Sequence, residues 1–235
     1  MRESLFHFKK FSCHHGLGSI KIGVDAVLIG AWADVNDVGH ALDVGTGCGV
    51  IALMMAQRND TALIEAIDID ADAIRQAEQN FAASPWSERL KVSLERYNDI
   101  TIKQYDLIIS NPPYFDSGIT HPETSRLVAR HQSEFSPWEL LRHGVELLAD
   151  NGRIALIIPA DQVEELIEAA TEIGLNLWRC TRVKGHANAP IKRALLEFGK
   201  RPTATPEETM LTLETAPGQP TEEYRRLCKD FYLKF

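Results

Sequence analysis

Tyr105-Asp106-Leu107-Ile108-Ile109-Ser110-Asn111-Pro112-Pro113-Tyr114-Phe115 opens as a short apolar run and closes on two prolines. The first five residues read as a buried strand. Neither proline has an N–H for a sheet ladder, and each fixes its own φ at about −65°. Pro113 also holds Pro112 extended. The result is a stiff corner at a strand's carboxyl end. It presents the Asn111 amide oxygen, the Pro112 carbonyl and the Tyr114 ring together. Two acceptors beside a flat ring suit a planar group bearing an NH₂, such as adenine: the acceptors take the amino hydrogens and the ring stacks on the base. Taken alone, the same residues also read as a proline-terminated strand followed by a surface turn.

Upstream, Ala41-Leu42-Asp43-Val44 reads as another strand, Gly45-Thr46-Gly47-Cys48-Gly49 as a turn, and Val50 to about Arg58 as a helix. Glycines here let the backbone approach a ligand and turn into the helix. The dinucleotide fingerprint is Gly-x-Gly-x-x-Gly; here the third glycine comes one residue early, which disfavours a nicotinamide cofactor. Strand-like 61–68 ends on Asp68, 19 residues after Gly49. A carboxylate there can accept both hydroxyls of a ribose, or simply belong to a strand-end turn. Asp70 is better read as the cap of a helix that Ser84-Pro85 stops. Asp99 follows a third strand, 90–94, and can accept from an adenine amino group or make an Asx-type turn.

Downstream, Ser136-Pro137 starts a helix to about Ala149, as cap and first turn. Residues 153–158 form a fifth strand, 163–173 a helix closed by Gly174, and 175–183 with 192–198 an antiparallel pair. A short strand near 210–213 and a last helix near 221–232 complete the chain. Five helix-separated strands and a closing pair predict an α/β fold: a seven-stranded, mostly parallel sheet with an antiparallel closing strand and helices on both faces. Such sheets bind ligands beyond the carboxyl ends of their strands. The chain reads as one domain over 1–235, with an extension and helix over 1–40, a core over 41–200, and a strand and helix over 201–235.

Four scattered cysteines in 235 residues suggest neither a zinc site nor a disulfide framework, and His14-His15 lacks a third ligand nearby. No metal is expected. The N-terminus lacks a signal-peptide core and no apolar run reaches membrane-span length, so a reducing cytoplasm is the expected home. The aromatics of residues 1–23 are expected to pack this extension on the domain. Net charge is −8, yet residues 178–201 carry +6. A basic strip on an acidic body fits one chosen phosphate backbone better than indiscriminate binding, although exposed strands also carry such charges for protection.

Asp43-x-Gly45-x-Gly47-x-Gly49, Asp68, Asp99 and Asn111-Pro112-Pro113-Tyr114, in this order after successive strands, resemble the class I S-adenosylmethionine-dependent methyltransferases of the amino-group branch, with their Rossmann-like fold. A closer resemblance runs through Phe8-Lys9-Lys10-Phe11, Lys21 to Trp32, Ala52 to Arg58, Ser84 to Arg89 and Phe231-Tyr232-Leu233. Through these the chain resembles the bacterial tRNA1(Val) (adenine(37)-N6)-methyltransferases. Cys48, Asp68 and Tyr105 stand where Ser, Glu and Phe are frequent.

The resemblance implies an enzyme that methylates an adenosine beside a tRNA anticodon. Asp43, Gly45, Gly47, Gly49, Asp68, Asp99 and Asn111 would hold S-adenosylmethionine. Asn111, Pro112 and Tyr114 would be catalytic. Pro113, Tyr114, Phe115, Arg126, Arg130, Arg182, Lys184, Lys192 and Arg193 would meet tRNA, with Lys21 and Asp25 closing over the cofactor's amino-acid end. Methylation of release-factor glutamine, DNA adenine or an rRNA base, or a non-catalytic RNA-binding role, would use the same scaffold. Only about 40 residues precede the first core strand, too few for the helical domain of a release-factor enzyme.

Overall fold

Prolines, glycines and short polar caps end most elements close to where the sequence puts them. The computed structural model describes residues 4–16, 21–101, 104–113 and 135–235. In chain order these form β1 (Ser4–His7), β2 (Ser12–His15), α1 (Val24–Trp32), β3 (His40–Val44), α2 (Val50–Arg58), β4 (Leu63–Asp68), α3 (Ala71–Ala82), β5 (Leu90–Leu94) and β6 (Tyr105–Ser110). After them come α4 (Pro137–Leu147), β7 (Leu148–Pro159), α5 (Val163–Glu172), β8 (Asn176–His186), β9 (Ile191–Gly199), β10 (Glu207–Ala216), β11 (Gln219–Pro220) and α6 (Glu222–Cys228).

Local chemistry explains the boundaries. Asp70 caps α3 by accepting from the Asp72 N–H at 2.8 Å. Ser136 and Glu139 form a reciprocal capping box around Pro137 at the start of α4. Gly174 closes α5 at φ +81°, a backbone state that glycine adopts without steric cost.

The main sheet runs β11-β10-β8-β9-β7-β6-β3-β4-β5. β3, β4, β5, β6 and β7 are mutually parallel, and β9 lies antiparallel between β7 and β8. The expected α/β sheet with its antiparallel insertion is present, but among the described residues it has nine strands rather than seven. The strand expected near 210–213 is ten residues long, and β10 joins the same sheet parallel to β8. With β11 it extends the edge that the closing pair would otherwise leave open. Residues 4–7 and 12–15 pair as a separate hairpin.

Strand alternation splits the core into two layers. Ala41, Leu107, Ile109, Ala155 and Ile157 face a layer with α1, α2 and the hairpin aromatics Phe8 and Phe11. Leu42, Ile108, Ile154, Leu156 and Ile158 face a layer with α4 and α5. The N-terminal aromatics do pack on the domain: Phe8 stacks on Phe11 at 4.5 Å and on Tyr232 at 6.3 Å. No helix among the described residues is long and apolar enough to cross a membrane.

Candidate active site

β3 and β6 lie side by side, and their ladder pairs Val44 with Ser110. The buried Ser110 hydroxyl donates to the Val44 carbonyl at 2.8 Å, pinning the two strand ends together. The next residues, Gly45 and Asn111, therefore leave the sheet as neighbours. The glycine turn and the diproline corner start from the same edge. Asn111 is half-buried, Pro112 buried and Pro113 exposed.

The glycine turn needs its glycines. Gly45, Gly47 and Gly49 have φ of +69°, +56° and +83°, the left-handed region that residues with a Cβ disfavour. A Cβ on Gly49 would also sit 2.5 Å from Phe81 Cε1, because α3 packs directly on the turn. The backbone amides are already engaged. Gly45 and Thr46 donate to the Ile67 carbonyl at 2.9 and 3.0 Å, and Gly49 donates to the Thr46 carbonyl at 2.9 Å. Gly47 donates to Asp68 Oδ2 at 2.8 Å. With these amides spent inside the fold, the turn is preformed and does not offer the amide nest that a dinucleotide's pyrophosphate requires.

Three carboxylates stand along this edge. Asp43 is fully buried; its Oδ2 accepts from Thr46 Oγ1 at 2.6 Å and from the Ala52 N–H at 3.2 Å. Its Oδ1 is buried with no hydrogen-bond partner among the described residues. Burial raises the Asp43 carboxyl to about 7 against the opposing effect of those two hydrogen bonds. Asp68 also takes the Asp70 N–H at 3.0 Å, which leaves each carboxylate oxygen with acceptor capacity for a hydroxyl. Asp99 is exposed on a 3₁₀ turn, Tyr97–Asp99, after β5. It lines an open depression of about 610 Å³ with Ile69, Leu94, Glu95 and Arg96. Ile69 and Leu94 are 62% and 59% exposed. Two large aliphatic side chains left open beside a carboxylate suit an apolar ring carrying a polar edge.

These features fit S-adenosylmethionine. An orphaned buried carboxylate oxygen can take an ammonium, Asp68 can take a ribose, and the depression with Asp99 can take adenine.

Several positioning groups escape a sequence reading. Asn80 on α3 is 1% exposed and joins the hairpin to the glycine turn. Its Oδ1 accepts from the His14 N–H at 2.8 Å, and its Nδ2 donates to the His14 and Cys48 carbonyls, both at 2.8 Å. Asn80→Ala would strand buried donors and acceptors on both partners. It is expected to cost about 2–4 kcal/mol, read from urea unfolding. Phe135, which follows the corner in sequence by two dozen residues, meets the ring of Tyr97 edge-on at 5.7 Å. A Cβ on Gly45 would lie 4.0 Å from the Phe135 ring. Nothing in the local pattern around Asn80 or Phe135 announces these contacts.

The sequence matches the family model for the methyltransferase small domain over residues 25–170. A curated relative from Parabacteroides distasonis, named tRNA1(Val) (adenine(37)-N6)-methyltransferase, is 46% identical over the whole of both chains. Relatives of the same name are 41% identical in Trichodesmium erythraeum over the whole of both chains, and 38% identical in Edwardsiella ictaluri over 98% of this chain and 94% of that one. The chain belongs to the tRNA1(Val) (adenine(37)-N6)-methyltransferase family. Solved structures agree on the fold. A "predicted O-methyltransferase" of Agrobacterium tumefaciens superposes with a TM-score of 0.68 at 19% identity, covering 88% of this chain and 96% of that one. Trm5b of Pyrococcus abyssi gives 0.59 at 16% identity, over 84% of this chain and 55% of that one.

In this member of the tRNA1(Val) (adenine(37)-N6)-methyltransferase family, the basic residues of 178–201 fall at two ends of the sheet. The basic strip of 178–201 does not hold together as one surface. β8 and β9 fold back on each other, pairing Arg179 with Glu197, Arg182 with Ala194 and Lys184 with Ile191. Arg179 and Lys184 are thus about 17 Å apart along the strand.

Arg179, Lys200 and Arg201 lie at the far end, in structural contacts. Arg179 bonds Glu197 at 3.3 Å and lies over the Trp32 ring, Lys200 donates to the Leu148 carbonyl, and the Arg201 carbonyl accepts from Trp178 Nε1. Arg182, Lys184, Lys192 and Arg193 lie at the corner's end, since Arg193 pairs with Pro159 at the carboxyl end of β7. Arg182 bonds Glu164 at 2.5 Å, and Lys184 donates to the Ala187 carbonyl at 3.0 Å. Arg193 Nε donates to Asp25 Oδ2 at 3.0 Å, which brings the start of α1 to the same end. Tyr114, Phe115, Arg126 and Arg130 lie outside the described residues. Among the described residues no cluster of three or more His, Cys, Asp or Glu is arranged to hold a metal ion.

Proposed function

We propose that this protein transfers a methyl group from S-adenosylmethionine to N6 of adenosine 37 in tRNA1(Val). The observation that carries the reading is the Val44–Ser110 pairing, which sets Asn111 beside the glycine turn. Asp43, Asp68 and Asp99 are the residues that would hold the cofactor's ammonium, ribose and adenine. The bound cofactor supplies a methyl on a cationic sulfur, which is already an activated leaving group.

The chain's own task is then positioning. The target amine is a poor nucleophile, because its lone pair is delocalised into the purine ring. Asn111 Oδ1 and the Pro112 carbonyl accept its two hydrogens and favour the pyramidal, nucleophilic form. The same two acceptors stabilise the positive charge that grows on the nitrogen as the methyl arrives. The surplus proton stays on the methylated nitrogen, hydrogen-bonded to one of these oxygens, until water takes it. Tyr114 and Phe115, next in sequence, are the candidates for stacking on the base once it leaves the anticodon loop. Lys184, Lys192 and Arg193 are candidates for the tRNA phosphates, and a tRNA substrate supports a cytoplasmic location.

Methyl transfer tests this directly. The full chain is incubated with methyl-labelled cofactor and separate pools of tRNA, rRNA, DNA and release factor. Label is expected in tRNA alone, at N6 of one adenosine 3′ of the anticodon in tRNA1(Val) after nuclease digestion. Incorporation only outside tRNA would overturn the reading.

A further inference from the structure

The turn that carries Asp99 is gripped from behind. Tyr97, two residues before it, is 5% exposed, and its hydroxyl donates to the Leu140 carbonyl of α4 at 3.0 Å. Its ring stands edge-on to Phe135 at 5.7 Å and to His143 at 5.0 Å. On the other side of Asp99, His143 Nε2 lies 3.1 Å from the Ile100 carbonyl, which can only accept, so Nε2 carries the proton.

α4 must come close for this to happen, and Gly144 lets it. A Cβ there would sit 2.8 Å from the Tyr97 hydroxyl. A glycine inside a helix costs stability relative to alanine; here it makes room for that hydroxyl. Asp99 itself is exposed, so the place of its carboxylate is set by the backbone of the turn and not by packing around it. One helix thus fixes Tyr97 and Ile100, on either side of a carboxylate in the depression.

We propose that Tyr97 is a positioning residue for the cofactor's adenine: through the Leu140 carbonyl it holds the turn so that Asp99 meets the 6-amino group, and thereby sets preference for adenine over other purines. This rests on the reading of Asp99 as the acceptor for that amino group. A hydrogen bond to a carboxylate is sensitive to displacements of a few tenths of an ångström, so a loosened turn weakens recognition of the amino group while leaving sugar and amino-acid contacts in place.

The test uses the full chain and two ligands measured by calorimetry: S-adenosylhomocysteine, and its purine analogue lacking the 6-amino group. The preference is the ratio of their dissociation constants. Tyr97→Phe keeps the ring packing and removes the hydroxyl; urea unfolding confirms that it remains folded. It is expected to shrink the preference about 3- to 10-fold, entirely through weaker binding of the adenine ligand. Asp99→Ala, which removes both acceptor oxygens, is expected to remove most of the preference, and Tyr97→Phe added to Asp99→Ala should have no further effect on it.

Equal weakening of both ligands by Tyr97→Phe, or none, would overturn the proposal while Asp99→Ala still sustains the reading of Asp99. An unchanged preference in Asp99→Ala would remove that reading, and the proposal with it.

Discussion

Asn111→Ala is expected to slow methyl transfer about 10²- to 10³-fold while the dissociation constant for S-adenosylmethionine moves by less than about threefold. Calorimetry gives the binding constant, and single-turnover transfer to tRNA gives the rate. The split follows from where Asn111 sits. It leaves β6 beside the glycine turn, and the turn's own amides are held by Ile67, Asp68 and Thr46. The cofactor site should therefore survive the truncation. The target amine loses the one side-chain acceptor of the corner and keeps only the Pro112 carbonyl. An interaction that strengthens as charge develops on the nitrogen is worth more in the transition state than in the bound complex, so its loss falls on the rate. Equal losses in binding and rate would move Asn111 to the cofactor side of the site. Unchanged turnover would remove it from the chemistry altogether.

The acidic and glycine positions of this site are legible in the sequence because each stands where a strand pattern stops. Asp43, Asp68 and Asn111 lie in or directly after apolar strand runs and Asp99 follows one by five residues, and a parallel sheet delivers the ends of such runs to one edge. Period and punctuation suffice for that. They do not suffice for β10, whose first residues Glu207, Glu208, Thr209 and Met210 are exposed and carry no apolar alternation. An edge strand buries too little to reveal its length or its partner.

Charge counting fails differently. Seven basic residues within 178–201 look like one patch in a string. A hairpin folds that string in half, which sends Arg179 and Arg201 to one end of the sheet and Lys184 and Arg193 to the other. The link from Asp99 to α4 is hidden for a third reason. Tyr97 and Leu140 are 43 residues apart, and only the packing of a helix on a sheet brings a phenol to a helix carbonyl.

Asp43→Asn should expose the strain at the base of the glycine turn. The buried carboxyl titrates at about 7 in the fold, against 3.8 as its ordinary value. Below pH 4 both the folded and the unfolded chain hold the proton, and the group makes no difference. Between pH 4 and 7 the unfolded chain gives up its proton and the folded chain keeps it, so stability falls as pH rises; above 7 the loss is complete and constant. The shift corresponds to a penalty of about 4 kcal/mol at most at pH 8.

Asparagine carries no charge, keeps an oxygen for Thr46 and the Ala52 N–H, and so removes the pH-dependent part. The wild-type unfolding free energy minus that of Asp43→Asn, taken from urea titrations at several pH values, is expected to decline between pH 4.5 and 7 and then level. A flat difference would mean that the carboxyl is solvated in the folded protein. The same orphaned oxygen predicts what the cofactor does there. An ammonium brought to Asp43 Oδ1 favours the charged carboxylate, so binding S-adenosylmethionine at pH 6 should release a proton. Calorimetry in buffers of different ionisation enthalpy reads that proton, and Asp43→Asn should abolish it. A destabilising charge kept at the centre of the turn is then the feature that cofactor binding relieves.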